Sequence, residues 1–71
     1  MDTTHPLIEA RKRAKLSQQA LADRIGKDRI TILRIEKGER TSLDTVSRII
    51  SVLAEENVRL SADAFLPDED A

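Results

Sequence analysis

Cysteine is absent, so neither a disulfide nor a thiolate metal site is available to this chain. His5 is the single histidine, which argues against an imidazole metal site, and no metal or other cofactor is expected. Tryptophan and tyrosine are missing and Phe65 is the single aromatic residue. The core must therefore be built from Leu, Ile, Val and Ala. Nothing approaches the roughly 20 apolar residues of a membrane span. The polar stretch from Met1 to Pro6 lacks the apolar centre of a secretory signal, so a cytoplasmic protein with no membrane partner is expected. No nucleophile with a base, metal cluster or phosphate-cradling glycine loop is present, and no enzyme is expected. Only two glycines occur, Gly26 and Gly38, and both read as helix ends.

At 71 residues the chain suffices for one domain with a modest core. Small folds of this kind commonly add a disulfide, a metal or a partner chain. With the first two set aside, oligomerisation remains. The formal net charge is −1, but it is unevenly distributed. Residues 1–40 carry ten Lys/Arg and six Asp/Glu, a net of +4; residues 41–71 carry two and seven, a net of −5. An anion such as a phosphate backbone meets the first half, and the acidic end points away from it.

Apolar spacing predicts an all-α bundle of four to five helices. The first runs from Pro6 to Ala14, with Thr4 as its cap and Pro6 in the first turn, where a missing N–H costs little. Leu7, Ala10, Arg11 and Ala14 share one face. The second runs from Gln18 to Ile25, capped by Ser17 and ended by Gly26. The third runs from an Asp28 cap to about Lys37, and Gly38 ends it. The fourth begins after Thr41 or Ser42, with Leu43, Val46, Ile49, Ile50 and Leu53 at helical spacing. Beyond Asn57 two readings stay open. Val58, Leu60, Ala62 and Ala64 alternate with polar residues, as in a short strand. Equally, Ser61 caps a short helix from Ala62 to Leu66. Pro67 stops either one. The domain is read as residues 1–66, with a dimerising segment near 58–66 (Val58, Leu60, Ala62, Phe65 and Leu66) and an acidic tail over 67–71.

Two short helices joined by a tight glycine turn form the most informative feature. Gln18, Ala22, Gly26, Ile32 and Ile35 fall within a window of about twenty residues, the usual size of a helix-turn-helix pair. Ala22 must be small because the next helix crosses close by. Gly26 permits the turn, and Ile32 and Ile35 fill the angle between the helices. A helix held this way projects its outer face and fits a major groove about 12 Å wide. Arg11 and Glu36 are read as a structural pair tying the first helix to the third, since buried charges are normally paired.

In the stretch from Leu16 to Gly26 (LSQQALADRIG), in Arg34 to Gly38 (RIEKG), in Ser42-Leu43 and in Arg11, the chain resembles the lambda-repressor-like, Cro/C1-type helix-turn-helix family. The resemblance covers roughly residues 7–54. It implies a compact helical bundle that binds double-stranded operator DNA, commonly as a dimer. It implies that Gln18 grips a phosphate or braces the recognition helix. It places Arg29, Ile30 and Arg34 at base-reading positions, with Leu33 on the same face. Lys27, Lys37 and Arg40 flank that helix as phosphate contacts. Ile30 and Leu33 equally suit an exposed patch for a partner protein.

The expected function is a homodimeric autorepressor of phage or mobile-element type, acting on a near-palindromic operator. Two alternatives stand beside it. One is an antitoxin that binds both DNA and a toxin protein, using Val58 to Ala62 as a dimerising strand. The other is an interaction module without DNA binding, which steep loss of affinity with salt would discount.

Overall fold

The computed structural model describes residues 5–65. It is all-α: α1 (Pro6–Arg13), α2 (Gln18–Ile25), α3 (Arg29–Glu36), α4 (Leu43–Glu55) and a closing 3-10 turn, Ala62–Phe65. No strand occurs among the described residues. Of the two readings after Asn57 the short helix is the one formed, and Ser61 Oγ caps it by accepting from the Asp63 N–H at 3.1 Å. Residues 58–61 find no neighbouring strand, because the chain folds back on α4 instead. Leu66 and the tail over 67–71 lie outside the described residues. No described helix is long and apolar enough to cross a membrane.

Three of the four α-helices start where a side chain replaces a missing backbone partner. Ser17 Oγ accepts from the Ala20 N–H at the head of α2, and Ser42 Oγ from the Thr45 N–H at the head of α4. Ser42, rather than Thr41, is thus the cap of α4. At α1 the cap is His5, not Thr4; its Nδ1 accepts the Leu7 N–H at 3.0 Å. Asp28 occupies the cap position of α3 but makes no side-chain cap bond. Gly26 ends α2 in the left-handed region (φ 75°, ψ 31°), and Gly38 follows α3 at φ 96°. Two non-glycine residues also turn left-handed, Lys15 between α1 and α2 (φ 61°) and Asn57 after α4 (φ 62°).

The inner stripes of all four helices meet in one core. Leu7, Leu21, Ile25, Ile32, Ile49 and Leu53 are its largest fully buried side chains. Burying each contributes about 1.5–3 kcal/mol. α3 packs chiefly on α2, α4 closes over α2, and α1 braces α3. Leu43 departs from expectation. It sits at the first turn of α4 and is 73% exposed, because the inner stripe of that helix begins only at Thr45 and Val46. Ile50 lies at the edge of the core, half-buried. Val58 and Phe65 are both buried, so the C-terminal segment completes the core of its own chain.

Candidate nucleic-acid interface

α3 divides cleanly into two faces. Ile32 and Ile35 are buried, at 0% and 2% exposure. At about 100° per residue, Arg29, Leu33, Lys37, Ile30 and Arg34 fall within a single arc of about 140° on the other side. Arg29, Ile30, Arg34 and Lys37 are exposed and Leu33 is half-buried. Lys27 before the helix and Arg40 after it are exposed as well. The structure thus gathers Arg29, Ile30, Leu33, Arg34 and Lys37 on one outward surface, with further positive charge at both ends.

Three arginines outside this surface are engaged within the protein. Arg11, Arg24 and Arg48 each have a carboxylate partner at 2.6–3.0 Å. Among the described residues, Lys27, Arg29, Arg34, Lys37 and Arg40 have no such ion pair. Their donors face water and remain available to an anionic ligand. Ile30, 44% exposed between them, adds an apolar contact point.

The back of α3 is anchored by a small polar network. Arg11 Nε donates to Glu36 Oε2 at 2.7 Å, and its Nη1 donates to the Leu16 carbonyl at 2.9 Å. Gln18 Nε2 donates to Glu36 Oε1 at 2.8 Å. The Glu36 side chain is only 5% exposed and that of Arg11 12%. Three helices are joined at one carboxylate, and no buried side-chain polar atom among the described residues lacks a partner. One donor of the Gln18 amide thus braces α3 from behind. Only its nitrogen can face a carboxylate, so the orientation of the amide follows.

The turn between α2 and α3 is tight. Lys27 N–H donates back to the Ala22 carbonyl at 2.9 Å, closing the helix end around Gly26. Ala22 is fully buried beneath the crossing. Arg24, near the end of α2, pairs with Glu55, the last residue of α4, at 2.6 Å and with Glu56 just beyond it at 3.6 Å.

The C-terminal residues read as dimerising are placed apart from one another. Val58 and Phe65 are turned into the core, Leu60 is half-buried and Ala62 is exposed; Leu66 lies outside the described residues. A groove of about 410 Å³ lies beside Leu60, lined by Ile50, Ala54, Asn57, Val58 and Arg59 as well. His5 caps α1 and packs its ring 5.7 Å from that of Phe65. Histidine is not among the usual capping residues, and its contact with Phe65 spans the whole chain, so no local signal marks it.

Comparison with known proteins agrees with this geometry. A family model described as helix-turn-helix matches residues 7–56. The chain is also similar to a protein of Methanothermobacter thermautotrophicus named as an uncharacterized HTH-type transcriptional regulator, 41% identical over 63 residues, which are 87% of each chain. No solved structure matches. With a matched region that spans all four helices, the chain belongs to the Cro/C1-type helix-turn-helix family.

Proposed function

We propose that this protein is a sequence-specific DNA-binding transcriptional regulator that works as a homodimeric autorepressor. The observation that carries the reading is the outward arc of α3: unpaired cations around a partly apolar strip, held rigid by a buried back. Helix-turn-helix family membership supports DNA as the ligand, and the name of the similar protein supports a regulatory role.

In this reading α3 enters the major groove. Arg29 and Arg34 carry the fork that bonds guanine through two donors at once. Ile30 and Leu33 touch thymine methyl groups. Lys27, Lys37 and Arg40 bind phosphates, adding affinity without sequence information. Gln18 acts through Glu36, keeping α3 at its angle. A second copy places its own α3 one helical turn, about 34 Å, along a near-palindromic site. Occupied in this way, the protein's own promoter is closed to polymerase.

A mobility-shift titration with promoter DNA tests this. Selective binding should fall steeply as salt rises, with a slope that corresponds to about three phosphates neutralised, and their counterions released, per protomer. Arg34→Ala should cost about 1–3 kcal/mol on the selected site and relax the preference at one base pair. Unchanged base preference in both Arg29→Ala and Arg34→Ala would remove α3 as the reading helix. Binding to a partner protein through Ile30 and Leu33 would then become the better account.

A further inference from the structure

Arg48 lies on α4, outside every residue assigned to the interface. Its guanidinium is held from two sides. Nε is 3.0 Å from Asp44 Oδ2, one turn earlier on the same helix. Nη1 donates to the main-chain carbonyl of Ile25 at 3.2 Å. Ile25 is the last residue of α2, where carbonyls run out of partners within the helix. A cation there also meets the negative end of the helix dipole. The same Nη1 lies 3.7 Å from where a Cβ on Gly26 would stand, so the arginine lies directly over the turn.

We propose that Arg48 is a positioning residue for α3. It ties the turn at Ile25 and Gly26 to α4 and thereby fixes the direction in which α3 leaves it. The inference rests on the reading of α3 as the DNA-contacting helix. Its physical basis is leverage. α3 has eight residues, a length of about 12 Å at about 1.5 Å per residue. A tilt of about 10° at the turn moves the far end by about 2 Å, whereas a working site needs placement within about 0.5 Å. Arg34 and Lys37, at that far end, are the groups such slack would displace. Asp44 matters because it orients the fork: a lysine reaches one partner at a time, whereas arginine serves both.

The brace and a direct phosphate contact by Arg48 give opposite results in one set of measurements. Arg48→Ala and Arg48→Lys are compared with the wild type by mobility shift on promoter DNA across a salt series, and by amide hydrogen exchange without DNA. Losing one such bond is expected to weaken selective binding about five-fold and to speed exchange at the Gly26 and Lys27 amides about five-fold. The salt slope and the affinity for unrelated DNA stay unchanged. Arg48→Lys recovers part of both losses. A salt slope reduced by about one phosphate, with exchange unaltered, overturns the proposal in favour of a backbone contact. Unaltered exchange with unaltered affinity overturns it outright. Should the wild type itself show no selective binding, the DNA reading fails, and the exchange result still decides whether Arg48 holds the turn.

Discussion

Glu36 sits where three helices meet, and its charge is compensated almost entirely from within the protein. Arg11 approaches from α1 and Gln18 from α2, at 2.7 and 2.8 Å. A nearly buried carboxylate of this kind adds little net stability, since desolvation offsets most of the attraction. Removing one partner is another matter, because the other charge is then left stranded. Glu36→Gln keeps the shape but leaves Arg11 uncompensated, and should cost about 3 kcal/mol in denaturant unfolding. A loss below 1 kcal/mol would mean that water already reaches Arg11. The pairing of Arg11 with Glu36 was legible in the sequence because buried charges are normally paired. The third corner was not. The resemblance implies that Gln18 grips a phosphate or braces the recognition helix, and its bond to Glu36 is visible only once α2 and α3 are placed in space.

Among the elements, the α2–α3 turn was the most legible and the chain ends the least. Gly26 carries its own signal, since a positive φ strongly favours glycine. A Cβ there meets nothing closer than 3.7 Å, so the cost of substitution is conformational rather than steric. Gly26→Ala should therefore lose about 1 kcal/mol, and Gly26→Val more, as measured by thermal melting. Equal stability of all three proteins would contradict the left-handed turn. Lys15 and Asn57 make comparable turns without glycine, which is why the ends of α1 and α4 carry no such mark. Leu43 misled for a related reason. Helical spacing identifies a stripe but not where its first turn leaves the core.

The cap of α1 is pH-sensitive. His5 must be unprotonated at Nδ1 to accept the Leu7 N–H. Burial lowers its pKa below the usual 6.5, while the nearby charge of Glu36 pulls the other way. The unfolded chain thus takes up the proton first. The contribution of the cap is complete above pH 6.5 and is lost as pH falls through the lower folded pKa. Urea unfolding at pH 7.5 and at pH 5.5 should show the higher stability at the higher pH. His5→Asn, which caps without titrating, should flatten that difference. A slope that survives His5→Asn would belong to other groups.

At the scale of the whole molecule, the cations of α3 and those of α2 and α4 are used differently. α3 presents its cations outward, whereas Arg24 and Arg48 are spent on carboxylates at and near α4. If copies of the chain pair through the C-terminal segment, the contact rests on what residues 58–65 leave uncovered. There the alternation from Val58 to Ala64 was ambiguous in the sequence, because a period of two over a few residues does not distinguish a pairing strand from a segment that folds back. The structure turns Val58 and Phe65 inward and leaves Leu60 half-buried and Ala62 exposed. Deleting residues 58–71 would open the core and so test folding rather than association. Ala62→Glu is the cleaner change: it adds charge at an exposed position in the first turn of a 3-10 segment and disturbs no buried contact. If copies pair through this face, the substitution should shift sedimentation toward the monomer and weaken operator binding at least ten-fold, about 1.4 kcal/mol, with the melting temperature of the monomer unchanged. A dimer that persists with Glu at position 62 would place the contact on another face, and the groove between Ile50 and Leu60 would then be free for a different partner.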